Sequence, residues 1–210
     1  MKRRLVTALV VAALLWFYMF SPWTAGLTNF WLTMTASAVI LTSLALLFSP
    51  GKLPKVERPL LQVLAGIIIA LVLWGVFWTG DKVSSWLFDF ARPEVDSIYS
   101  MKTGLPPGVI AALLLLVIGP AEEFFWRGYV QRTMGKLFEK RERPQDMAFA
   151  LTAVIYALIH VPSLNFMLVM AALVAGIIWG LLYRLRPQML PALIVSHALW
   201  DALVFIWMPI

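Results

Sequence analysis

The sequence predicts an all-α, polytopic bundle of membrane-spanning helices, with about seven spans and a cytoplasmic N-terminus. Three observations carry this. Of 210 residues, 61% are hydrophobic and only 13% charged, with a mean hydropathy of +0.85, whereas a soluble domain is nearer half apolar and a quarter charged. The apolar residues fall into runs approaching the roughly 20 helical residues that a hydrocarbon core requires. The basic residues sit in short segments between alternate runs, the positive-inside pattern. One domain covering 1–210 follows from the length.

The first span, 5–20, follows Met1-Lys2-Arg3-Arg4, a start that resembles a signal peptide. Phe20-Ser21-Pro22-Trp23 is a poor cleavage site and further spans follow, so this helix is read as retained. The remaining spans are 27–48, 60–79, 107 to about 134, 146–160, 164–183 and 189–207. Lys2, Arg3 and Arg4; Lys52, Lys55 and Arg58; Lys136, Lys140, Arg141 and Arg143; and Arg184 and Arg186 then fall on one side. Segments 21–26, 80–106 and 161–163 fall on the other, which places the basic side in the cytoplasm. Residues 82–91 read as an amphipathic interfacial helix. Gly176 and Gly180 form a small-xxx-small pair, read as internal packing ahead of dimerisation. The net charge of +6 is accounted for by these loops, so nucleic acid is not an expected partner. With no cysteine, disulfides, thiol catalysis and cysteine-ligated metals are excluded. The tryptophans, and the aromatics around Trp16 and Trp74, read as interfacial anchors and lipid-facing bulk.

Chemistry is indicated where charge interrupts this apolar background. Glu122 and Glu123 follow an uninterrupted apolar run, and an ionisable group in a bilayer interior costs roughly 2.5–3.5 kcal/mol on insertion scales. The only two histidines, His160 and His197, are likewise in apolar surroundings. Glu122 and His160 lie on either side of a basic loop, each roughly 22–25 Å from the same face at 1.5 Å per residue. His197 falls at about 15 Å and Asp201 at about 21 Å on the last span, so polar groups from three helices converge in depth. His197 and Asp201 are one helical turn apart, as are Glu123 and Arg127, a pair expected to neutralise one carboxylate and leave Glu122 free. Gly119-Pro120 should bend the helix or expose carbonyls just upstream.

A buried carboxylate near an imidazole suits general-base activation of water. The second histidine and Asp201 could hold an oxyanion or orient substrate, or Asp201 could fix the His197 tautomer. Glu122, His160, His197 and Asp201 could instead hold a divalent metal such as zinc; with no HExxH present, metal-free action is favoured. Tyr156 is one turn before His160, where it hydrogen-bonds in the site or packs.

Glu122-Glu123-x-x-x-Arg127, then Tyr156-x-x-x-His160, then His197-x-x-x-Asp201 resembles the CPBP intramembrane proteases, which include CAAX prenyl endopeptidases and bacteriocin-processing and abortive-infection-type proteins. The resemblance covers about 108–205. It implies that Glu122 and His160 activate the hydrolytic water, that His197 and Asp201 stabilise the oxyanion, and that Glu123 and Arg127 support the site. Tyr156 replaces the family's usual Phe and Asp201 its usual Asn; an ionised Asp201 would oppose an oxyanion. The expected activity is intramembrane endopeptidase, cutting a membrane-associated protein, leader or C-terminal tail in a bilayer, and the expected location a bacterial inner membrane. A non-catalytic scaffold or immunity protein of the same fold is the alternative.

Overall fold

The computed structural model describes residues 1–49, 51–53 and 55–210. Among them are eight helices and no strand, and seven helices are long and apolar enough to cross a membrane. In chain order these are α1 (Lys2–Phe20), α2 (Phe30–Phe48), α3 (Pro59–Leu87), the short α4 (Ala91–Ser100), α5 (Pro107–Leu137), α6 (Pro144–Ser163), α7 (Phe166–Leu185) and α8 (Pro187–Trp207). The chain is an integral membrane protein by this measure, and Leu60, Leu64, Ile68 and Val72 on α3 are among many large apolar side chains left exposed for lipid.

Local sequence explains the helix starts. Proline occupies the first turn of α3, α5, α6 and α8, where a missing N–H costs nothing. Asn29 caps α2 by accepting from Leu32 N–H at 3.2 Å, and Asn165 caps α7 by accepting from Leu168 N–H at 2.8 Å. Asn165 also donates to the Glu94 carbonyl at 2.8 Å, while the Glu94 carboxylate accepts from Met167 N–H at 2.8 Å. These bonds lock α4 onto the start of α7.

Two expectations change. Residues 82–87 do not begin a separate interfacial helix; they continue α3, and the amphipathic helix is α4. Its first turn is anchored by Arg92, which pairs with buried Asp81 at 3.2 Å and with Asp96 at 2.6 Å. The break expected at Gly119-Pro120 takes the form of π-helical turns on either side, at Leu114–Ile118 and Phe124–Gln131, with Gly119 itself helical (φ −57, ψ −47). The wider turns accommodate the hydrogen bond that Pro120 cannot make.

α5 is the central element, packed against α2, α6 and α8, while α8 is covered on its far side by α3. A Cβ on Gly119 would stand 2.6 Å from the Ala198 Cα, so α5 and α8 touch backbone to backbone there. Gly176 and Gly180 face inward. A Cβ on Gly176 would meet Tyr156 of α6 at 3.2 Å, and one on Gly180 would meet Phe149 at 3.1 Å. Their carbonyls accept from Arg127 and Gln131 at 3.3 and 2.9 Å, which joins α7 to α5 and makes the pair an internal packing device.

Candidate active site

A chamber of about 440 Å³ reaches from mid-span to one end of the bundle, and Glu122, Tyr156, His160, His197 and Asp201 all line it. Its walls are otherwise mainly apolar, including Phe20, Trp31, Met34 and Ile118. The rim is built from Asp81, Ser84 and Phe88 at the end of α3, Val95 and Tyr99 of α4, and Phe166 and Met167 at the start of α7. It therefore lies at the end opposite the basic loops.

Three hydrogen-bond arrangements organise the polar groups. The Tyr156 hydroxyl donates to Glu122 Oε2 at 3.0 Å, while Oε1 takes no protein donor among the described residues. Behind the chamber, fully buried Glu123 accepts at Oε1 from Arg127 Nη1 at 2.8 Å and from His197 Nδ1 at 2.9 Å. The expected Glu123–Arg127 pair is present, and it has a second task across the helix interface. His197 Nε2 stands 3.5 Å from Asp201 Oδ2, a contact too long to be a strong hydrogen bond. His160 Nδ1 lies 2.7 Å from the Tyr156 carbonyl and its Nε2 accepts from Trp16 Nε1–H at 3.1 Å. The carbonyl can only accept, so Nδ1 carries the proton and the ring is the neutral tautomer.

Several of these relations differ from the expected ones. Glu122 and His160 line one chamber but are not bonded to each other; each has another partner. Trp16 is not a lipid-facing anchor. It is 1% exposed and is the donor to His160. Trp179 is a further site-organising residue that sequence reasoning overlooked. Its ring stacks on His197 with centroids 4.0 Å apart and planes at 17°. The Arg127 guanidinium lies 5.6 Å from the Trp179 ring centroid and 5.2 Å from that of Tyr156, within cation–π range. Trp179 also donates to Ser196 Oγ at 3.1 Å, which fixes its ring plane.

Both His160 nitrogens are committed, His197 faces a carboxylate at each nitrogen, and no three His, Asp or Glu side chains among the described residues form a metal-holding group.

Outside the spans, hydrogen bonding to Asp96 holds the Arg92 guanidinium above its ordinary pKa, and burial pushes the Tyr99 phenol up. Both groups at the rim thus keep their protons at neutral pH.

Fold and site together define a multi-span membrane protein with a buried carboxylate and two imidazoles around an internal chamber. Residues 104–203 match the family Rce1-like, described as type II CAAX prenyl endopeptidase Rce1-like, and this segment of the chain is similar to that family, in agreement with the CPBP resemblance. The match spans α5 to α8, the helices that supply every one of these polar groups except Trp16. No curated protein and no solved structure matches the chain.

Proposed function

We propose that the chain is an intramembrane endopeptidase in which Glu122 activates water for hydrolysis of a peptide bond. The observation that carries this is the Glu122 carboxylate: one oxygen is fixed by Tyr156, and the residue faces a chamber large enough for an extended peptide. Glu122 takes a proton from water as the hydroxide oxygen attacks the scissile carbonyl carbon. The tetrahedral oxyanion forms near His197, which in its imidazolium form donates through Nε2. Collapse breaks the C–N bond, Glu122 returns the proton to the leaving amine, and the products are a carboxylic acid and an amine.

The other groups position these two. Glu123 and Arg127 hold His197 from behind, Trp179 holds its plane, and Asp201 orients its far nitrogen. His160, engaged by Trp16, joins the water only when the indole moves aside. The positive-inside rule puts the basic loops in the cytoplasm and the rim on the opposite side. That favours a membrane-anchored protein, leader or C-terminal tail presented from the outer leaflet of a bacterial inner membrane.

Terminus-resolved mass spectrometry of membranes carrying wild type, a deletion, Glu122→Ala and His160→Ala tests the proposal. Loss of the same peptide ends in the deletion and in Glu122→Ala, at normal protein level, supports it and supplies a substrate. If Glu122→Ala matches wild type while the deletion has a phenotype, the scaffold alternative replaces it.

A further inference from the structure

The ten-residue helix α4 lies across the rim of the chamber, and its Val95, Ile98 and Tyr99 line it. α3 packs chiefly against α8 and α7 chiefly against α6, whereas α4 packs against both α3 and α7 and so bridges them at this end. The apolar part of its seat is small, since Ala91 and Val95 are the only buried residues of α4. Two polar clasps add to it. On α7, the Glu94 carboxylate accepts from Met167 N–H and the Glu94 carbonyl from Asn165 Nδ2, each at 2.8 Å; on α3, Arg92 pairs with Asp81 at 3.2 Å. Just beyond α4, Trp31 Nε1–H donates to the Met101 carbonyl at 3.0 Å and Asn29 Nδ2 to the Gly104 carbonyl at 3.3 Å, which ties the following turn to α2. Gly104 has φ +94, a left-handed conformation that glycine takes without strain.

We infer that α4 is a lid on the chamber, released at the Glu94 and Arg92 clasps and hinged on the turn at 101–104. As a control on substrate entry, this rests on the peptidase reading. Non-helical residues flank α4 at 88–90 and 101–106, so the helix can move as a unit while α3 and α5 keep their places. A segment seated on two buried apolar side chains and a few polar bonds opens more readily than a spanning helix does. Its outer side carries Asp96, Ser97 and Ser100, all exposed, so lifting α4 takes no charge into lipid. Arg92 and Glu94 are two positions apart and reach opposite neighbours, so either clasp alone still holds one side of the bridge, and loss of both frees it. Closed, the lid shields the chamber around Glu122 from bulk water. Open, it unties α3 from α7 and admits a peptide from the membrane surface opposite the basic loops.

The sequence contains no cysteine, so a single introduced thiol reports access to the chamber by itself. Val204→Cys puts that thiol on the chamber wall, at a position 4% exposed. The readout is its rate of modification by a charged, membrane-impermeant methanethiosulfonate, with the protein in nanodiscs. Glu94→Ala and Arg92→Ala should each raise the rate several-fold, and the double variant should raise it about ten-fold or more. Glu94→Gln keeps a side-chain carbonyl for Met167 N–H and should label at nearly the wild-type rate. Ala8→Cys, fully buried on α1 and away from the chamber, controls for general loosening and should stay unreactive in every background. An unchanged Val204→Cys rate in the double variant overturns the inference, as does a rate that rises equally at Ala8→Cys. If the double variant does not fold, Glu94→Ala against Glu94→Gln decides, and equal rates for the two overturn the lid. Because labelling is read without cleavage, a lid that opens as expected in a protein that cuts nothing still stands, and only the peptidase reading falls.

Discussion

Trp16 and His160, separated by 144 positions, meet through a hydrogen bond of 3.1 Å from the indole N–H to the imidazole Nε2. The bond ties α1, which lies outside the family-matched segment, to the chamber that segment encloses. It also decides which ring nitrogen of His160 holds the proton, since the indole can only donate. Trp16→Phe removes the donor and leaves a buried acceptor unpaired, at a cost of about 1–3 kcal/mol. Thermal unfolding in detergent should show the loss, and a double-mutant cycle with His160→Ala should show that most of it depends on the histidine. Additive effects would mean that Trp16 contributes only packing.

Tyr156→Phe deletes one hydroxyl and keeps the ring that packs against Trp126 and lies under Arg127. Turnover is expected to fall several-fold while the unfolding temperature moves little, because only the Glu122 carboxylate loses a donor. An unchanged turnover number would separate this hydroxyl from the chemistry.

Glu123→Ala removes the shared acceptor of Arg127 and His197 and strands a buried guanidinium. Breaking such a pair costs roughly 3–5 kcal/mol, so the variant should be markedly destabilised. Glu123→Gln is the informative companion. It retains a carbonyl acceptor for one partner, so it should fold better than Glu123→Ala yet hydrolyse poorly because His197 is no longer held. A Glu123→Gln protein as active as wild type would remove His197 positioning from the account.

Gly119→Val forces side-chain atoms into the Ala198 backbone, and over-packing of this kind costs about 1–3 kcal/mol or more. Activity should fall further than stability, since separating α5 from α8 stretches the 2.9 Å Glu123–His197 bond. Comparing residual activity with the folded fraction by size-exclusion chromatography checks this.

Reading the sequence located the spans and the pairs formed within one helix. Glu123 with Arg127, and His197 with Asp201, are both one turn apart, and helical geometry alone brings them together. Tyr156 and His160 are likewise one turn apart in sequence, and both line the chamber. Bonds between helices were another matter. Nothing local connects Trp16 to His160 or Trp179 to His197, because an apolar helix shows no periodic contrast to mark the side facing its neighbours. That is also why Trp16 read as a lipid anchor. The third span reads as ending at 79 because Asp81, Lys82, Ser84 and Ser85 resemble a membrane exit, whereas buried Asp81 is neutralised by Arg92 of the next helix.

The π-helical turn at Leu114–Ile118 has a consequence for insertions and deletions in α5. A turn closed from residue i to i+5 holds one residue more than an α-turn while the helix on either side keeps its direction. Shortening 114–118 by a single residue can therefore be absorbed by reverting to ordinary α geometry, with Glu122 still turned to the same side. Removing two has no such outlet: the lower half of α5 would rotate, carrying Glu122 away from Tyr156 and breaking the phase between Glu123 and His197. Chain length in this helix is thus buffered by one position, in the turn just above the two carboxylates.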